Sequence, residues 1–213
     1  MSENRGKQYV RALALFLFIV VLPIGSYYYL SIGRQFYREN LAMIQPKATV
    51  SPFSFQSLSG DTISSDQFTG KVWVASFLET PCNTSCEQQL EHLKVIQDAF
   101  YKTGRASILS FHSQASDLIF ESEKTSIDGA ERGFWYASTL GDSLVGSIQH
   151  EFFAGRSEGF DGQYLVLLDD SLRVRKYYPA IHADSIELLI RHMAMIMPKE
   201  KKREIGFERE KEK

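Results

Sequence analysis

The sequence predicts an α/β domain, a central mixed sheet flanked by helices, preceded by one apolar N-terminal helix. Three observations carry this expectation. Residues 12–32 (ALALFLFIVVLPIGSYYYLSI) contain no charged side chain. Val72–Leu78 (VWVASFL) is apolar on both faces, as a strand covered by helices on either side must be. Beyond Glu87, the residues Leu90, Leu93, Ile96 and Phe100 recur at the three-to-four spacing of an amphipathic helix. At 213 residues the chain has room for one globular domain plus extras, and 44% hydrophobic residues with 6 Pro and 14 Gly exclude a disordered or collagen-like chain. Lys+Arg 24 against Asp+Glu 26 gives a net charge of -2, so the chain has no basic field to hold a nucleic-acid backbone.

Residues 12–32 read as a transmembrane anchor. A helix rising about 1.5 Å per residue over that length crosses a hydrocarbon core about 30 Å thick. Arg5, Lys7 and Arg11 precede it, which places residues 1–11 in the cytoplasm and the rest of the chain outside, in the periplasm if the source is bacterial. Arg34 and Arg38 pull the other way. A small-x-small cleavage site is missing after the run and Tyr27, Tyr28 and Tyr29 resemble an interfacial aromatic belt, so the helix is read as uncleaved. Pro23 is expected to kink it. Residues 33–52 have mixed polarity without a sustained period and read as a linker.

The domain is expected over 53–197. Phe53–Phe68 alternates around the turn dipeptide Gly60-Asp61, a small hairpin with Phe53, Phe55, Leu58 and Ile63 inward. The strand Val72–Leu78 comes next, then a loop through Glu79-Thr80-Pro81 and a helix reaching Gly104. Thr84 with Glu87 three residues on matches a capping box, which makes Thr84 the expected N-cap. A second strand is expected at Ser107–Phe111, a short helix at Ser116–Lys124, a strand at Phe134–Ala137 and a helix at Ser143–Phe153. Tyr164–Leu168 and Arg173–Tyr178 form a hairpin around Asp169-Asp170-Ser171, and Ser185–Met197 is a last amphipathic helix. Residues 198–213 hold seven Lys/Arg and five Glu, a solvated charged tail. This order of elements is that of a thioredoxin-like α/β domain.

The 2 cysteines, Cys82 and Cys86, are only four apart. They stand between the end of the central strand and the first turn of the next helix, where reactive groups of open α/β sheets gather. Free N–H groups and the partial positive charge of the helix start favour thiolate over thiol. The two sulfurs are placed either to close a disulfide or to hold one soft metal ion; two thiolates suit copper(I), whereas zinc wants four ligands. A purely structural disulfide is the bland alternative, although so short a loop adds little stability.

Gly70–Phe77 (GKVWVASF) and Thr80–Cys86 (TPCNTSC) resemble the core of the Sco/SenC family, membrane-anchored thioredoxin-like proteins of cytochrome oxidase assembly. The resemblance runs from about Phe53 to Met197 and includes Ile108–Ser110, Leu165–Asp169 and Arg173–Tyr178. It implies that Cys82 and Cys86 bind copper for delivery to a membrane-protein client such as a cytochrome oxidase subunit, a metallochaperone more than an enzyme. Three departures accompany it. Asn83 stands where the family usually has Pro. Phe160-Asp161-Gly162-Gln163 stands where the family's copper histidine falls, and Gln114-Ala115 replaces a common Asp-Pro. Asp161, a hard oxygen donor, and His112, just after the second strand, are the candidate third ligands. Two other functions stay open: a membrane-tethered thiol-disulfide reductase acting on extracytoplasmic cysteines, and a degenerate member acting as a binding module.

His92, His150, His182 and His192 are each single and read as cap, surface or structural residues. Glu79, beside the cysteine loop, is a candidate proton acceptor for a thiol. The chain has no Gly-rich phosphate loop, no nucleophile elbow and no His-Glu-x-x-His helix, so kinase and hydrolase chemistry has no support.

Overall fold

A computed structural model of the chain describes residues 9, 11, 13–57, 60–78, 82–112, 134–139, 142–154, 156 and 163–198. The chain divides into two compact units, Met1–Gln45 and Pro46–Lys213.

In the first unit one helix spans Leu13–Met43, long and apolar enough to cross a membrane. After one α-helical turn it widens into a π-helical stretch, Leu17–Val21, and continues as α1, Leu22–Met43. The wide turn lies immediately before Pro23, whose ring lacks an N–H and crowds the carbonyl four residues back; local widening of the helix relieves both. Its apolar side chains face outward, Ile19 at 69% and Tyr29 at 79% exposure, as lipid-facing residues would. Residues 33–43, expected in an irregular linker, are helical instead. Arg34, Gln35, Arg38, Glu39, Leu41, Ala42 and Met43 are good helix formers, and Gln35 Nε2 donates to Glu39 Oε1 at 2.9 Å one turn on.

The second unit is built on one sheet. Among the described residues its strands are β1 (Ala48–Thr49), β4 (Val72–Leu78), β5 (Ala106–His112), β6 (Trp135–Thr139), β7 (Tyr164–Leu168) and β8 (Arg173–Pro179), in the order β1-β8-β7-β4-β5-β6. β2 (Ser54–Gln56) and β3 (Thr62–Ser64) form a separate hairpin. Helices α2 (Thr84–Phe100), α3 (Asp142–Phe152) and α4 (Ala183–Ile196) complete it. β4, β5 and β6 run parallel, while β7 and β8 pair antiparallel, so the sheet is mixed as expected. The expected linker also supplies β1. Its Ala48 and Thr49 pair with Val174 and Arg173, and this covers the backbone groups that β8 would otherwise leave open at the sheet edge.

Every residue of β4 is buried. Trp73, Ala75 and Phe77 face an aromatic layer with Phe111, Phe152 and the β2–β3 hairpin. Val72 and Val74 face Leu93 and Ile96 of α2 and Leu189 and Met193 of α4. The hairpin turns at Gly60, whose φ of +90° suits glycine. Ile63 is buried and Phe53 stacks on Phe55 at 4.9 Å, as the alternation predicts; Leu58 lies outside the described residues, as do the helix expected at 116–124 and the charged tail beyond Pro198.

The β7–β8 turn is organised by Asp169, 2% exposed. It accepts from the Ser171 and Arg173 N–H groups at 2.9 and 3.0 Å and from Arg173 Nε and Arg175 Nε at 2.9 and 2.8 Å. Burial raises its pKa, but these backbone N–H bonds and the Arg175 guanidinium prevail and hold it below the ordinary carboxylate value.

On α4, His192 is fully buried and its Nδ1 lies 2.5 Å from the Tyr178 hydroxyl. Burial, with the nearby charges of Lys176 and Arg191, pushes the imidazole pKa down to about 4. Unfolded, the same ring titrates at its ordinary value of 6.5. The unfolded chain therefore binds more protons below that pH, and this contribution to stability is whole above about 6.5 and is lost as pH falls toward about 4. Urea unfolding across this window is expected to show falling stability in the wild type and a flatter profile in His192→Gln.

Candidate functional site

The carboxyl ends of β4 and β5 lie side by side, with Leu78 paired to His112. Residues 79–81 lie outside the described residues, and the chain is described again at Cys82, Asn83 and the start of α2. Asn83 is the N-cap. Its backbone is extended (φ -101°, ψ 179°), and its side-chain Oδ1 accepts the Cys86 N–H at 2.9 Å. The Glu87 N–H donates to the Asn83 carbonyl at 2.9 Å. This corrects the expected capping box: Thr84 is already the first helical residue, and asparagine, one position earlier, is the stronger cap. Cys82 thus precedes the cap and Cys86 is the third helical residue.

The two cysteines form a disulfide, with Cα atoms 5.3 Å apart. Cys82 is half-buried, and Cys86 is buried at 5% exposure. The difference arises from helical geometry. Cys86, Gln89, Leu93 and Ile96 share the face that α2 turns to the sheet, whereas Cys82 lies in the approach to the helix. The pair therefore joins a half-buried cysteine to a buried one.

Beneath this end of α2 the sheet changes character. Along β4 and β5 the residues facing α2 run from Val72, Val74, Ala106 and Ile108, all apolar, to Ser76, Ser110 and His112, all buried. Gln89 Nε2 donates to Ser76 Oγ at 2.8 Å with both residues buried, and Trp135 Nε1 donates to Ser110 Oγ at 3.0 Å. Each of these two buried hydroxyls is thus satisfied, as burial requires. His112, expected just beyond the second strand, is instead the last residue of β5 and 1% exposed, on the same face as Ile108 by the two-residue repeat of a strand. It shares the sheet end and helix-facing side with Cys86.

The remaining candidates are distributed elsewhere. His92 Nδ1 lies 2.6 Å from the Ala180 carbonyl, His150 is exposed on α3, and His182 is exposed at the start of α4. Glu79, Asp161, and the Gln114-Ala115 pair lie outside the described residues. Among the described residues no three or more His, Cys, Asp or Glu side chains are gathered in a group that could hold a metal ion, so in the disulfide form His112 makes no such group with both cysteines. Sequence reasoning missed the roles of Asn83 and Gln89. Asn83 was legible, because asparagine outranks threonine as an N-cap; Gln89 was not, because its partner is fixed only by the packing of α2 on β4.

Comparison with known proteins places these features in context. Residues 42–113 match the SCO1/SenC family model. Over 48 residues the chain is 38% identical to the SCO1 protein homolog of Bacillus subtilis (strain 168), a match covering 22% of this chain and 25% of that protein's length. Among solved structures, a SCO1/SenC family lipoprotein from Bacillus anthracis str. Ames aligns with a TM-score of 0.59 at 20% identity, covering 71% of this chain and 97% of that one. BsSco, a member of the Sco family of cytochrome c oxidase assembly proteins in which a disulfide switch was identified, aligns with a TM-score of 0.55, also at 20% identity and with the same coverage, 71% and 97%. Bradyrhizobium japonicum ScoI, solved with copper bound, aligns with a TM-score of 0.53 at 12% identity, covering 70% of this chain and 100% of that one. These likenesses show that the domain has the expected thioredoxin-like fold, and the match to the SCO1/SenC family model is confined to residues 42–113.

The Gln89–Ser76 hydrogen bond anchors the first turns of α2 to β4. Gln89→Ala, which strips Ser76 of its buried partner, is expected to lower the unfolding free energy by about 1–3 kcal/mol, and pairing it with Ser76→Ala to recover part of that loss. Urea denaturation of the oxidised protein checks both.

Proposed function

We propose that this Sco/SenC-related chain is a membrane-tethered copper(I) carrier whose Cys82–Cys86 disulfide is the metal-free, oxidised form of its binding site. The observation that carries the reading is the disulfide itself, at the junction of a fully buried strand and a helix N-terminus. Its reduction yields two thiolates on adjacent elements, a soft donor pair suited to copper(I), and the related ScoI carries copper. The positive end of α2 favours both thiolates. The client is a membrane protein, and by the family relationship a cytochrome oxidase subunit. Residues 12–32 hold the domain, 53–197, outside the cytoplasm.

Thiol-disulfide exchange with extracytoplasmic cysteines is the second reading, favoured by the half-buried Cys82 beside the buried Cys86. An incoming thiolate reaches the outer sulfur and the inner one leaves, the polarity that exchange requires.

The two thiolates carry the affinity for copper(I). His112, at the same end of the sheet, and Asp161 are third ligands at most. Anaerobic titration of the reduced full-length protein with copper(I), against a chelator of known affinity, is expected to give one tightly held ion per chain. Cys82→Ser or Cys86→Ser should each abolish it, His112→Ala should weaken it by no more than about tenfold, and Asp161→Ala should leave it unchanged. Equal binding by the Cys→Ser variants would refute the carrier reading, and failure of the wild type to bind would leave thiol-disulfide exchange or partner binding as the function.

A further inference from the structure

Ser76 and Ser110, on the α2 side of the sheet, have hydrogen-bond partners, but a buried hydroxyl on the opposite side does not. Ser107 of β5 is fully buried, and its Oγ makes no hydrogen bond among the described residues. The two-residue repeat of the strand sets it on the face of Leu109 and Phe111, within the aromatic layer. Trp73 of β4 is also fully buried, and its indole Nε1–H is likewise without a partner among the described residues. The two residues are neighbours. Trp73 pairs with Ser107 in the parallel β4–β5 ladder and faces the same layer, so both orphaned groups arise from paired positions on strands about 4.8 Å apart.

The indole N–H can only donate, whereas the serine hydroxyl both donates and accepts. Burial makes an unmet polar group costly, and such groups are normally paired with protein or with ordered water. The rings packed against Trp73 are those of Phe68, Phe152 and Phe53, with centroids 4.6, 5.8 and 5.9 Å away, and they carry no oxygen or nitrogen. A direct bond from the indole to Ser107 Oγ is not made. Along β5 the row on this face is Ser107, Leu109 and Phe111, so the side chain beside Trp73 is the shortest of the three.

We propose that one water molecule is bound between Trp73 and Ser107 as a fixed part of the aromatic core. Its oxygen accepts the indole N–H, and one of its hydrogens is donated to Ser107 Oγ. Water is the smallest molecule that offers both functions, and two polar partners are enough to retain it in a buried site. The site explains why a serine stands in a row of apolar and aromatic side chains, and the bridge fixes the indole by its nitrogen as well as by its packing. It lies near the amino ends of β4 and β5, whereas the cysteines follow the carboxyl end of β4, so the inference is independent of the copper reading.

The test is a crystal structure of the full-length protein at a resolution that shows ordered water, joined to nuclear Overhauser measurements in detergent. An oxygen within about 3.2 Å of both Trp73 Nε1 and Ser107 Oγ is expected, with a cross-peak between the Trp73 indole proton and water. The chain has 2 tryptophans, and Trp73→Phe identifies the resonance. Ser107→Ala takes away one of the two partners, and both signals are expected to be lost in it. A wild-type structure with no oxygen at this position, with the indole bonded directly to Ser107, or with an oxygen that persists unchanged in Ser107→Ala would overturn the inference. If Ser107→Ala does not fold, the wild-type structure decides alone.

Discussion

Strand β4 is hydrogen-bonded on both sides and buried along its whole length, with parallel β5 on one flank and antiparallel β7 on the other. Its carboxyl end therefore has little freedom, and the chain beyond Leu78 leaves from a fixed point at the edge of the core. It leads into α2, held to the sheet by Leu93 and Ile96 in the apolar layer and by the Gln89–Ser76 bond nearer the site. Between these two anchors the chain must pass from strand to helix within a few residues, and the cysteines stand on that passage. A change that loosened β4 or tilted α2 would move the two sulfurs relative to each other even if neither cysteine were touched.

The asymmetry of the pair has the same geometric origin. Cys86 points with the buried face of α2 and Cys82 does not, so the two cysteines differ in burial. A disulfide that merely stapled the fold would have no need of this arrangement, and the loop it closes is too short for its closure entropy to matter greatly. The polar residues beneath Cys86, namely Ser76, Gln89, Ser110 and His112, interrupt an otherwise apolar face at just this end of the sheet. The hydroxyls of Ser76 and Ser110 are both hydrogen-bonded, which makes the patch stable without making it apolar.

Much of this was legible in the sequence. The buried strand, the period of α2, the β7–β8 hairpin and the last helix rest on local patterning strong enough to survive into the structure, and their boundaries differ by only a residue or two. The elements that sequence patterning misplaced share a cause. Residues 33–43 are helical and Ala48–Thr49 pair with β8, because helix continuation and edge pairing depend on neighbours that a local scan does not weigh. The helix cap was misplaced by one residue because a capping-box pattern at Thr84 and Glu87 masked the better cap at Asn83. The partners of Gln89 and His192 come from elements 13 and 14 residues away, set only when helices pack on the sheet.

Copper carriage requires Cys82 and Cys86 to pass between a disulfide and a copper(I)-bound dithiolate. X-ray absorption at the copper edge, on the full-length protein reduced and loaded with copper(I) under anaerobic conditions, reads the metal's neighbours directly. Two sulfur scatterers on each copper, lost in Cys82→Ser, are the predicted result. Copper surrounded by nitrogen and oxygen alone would contradict it.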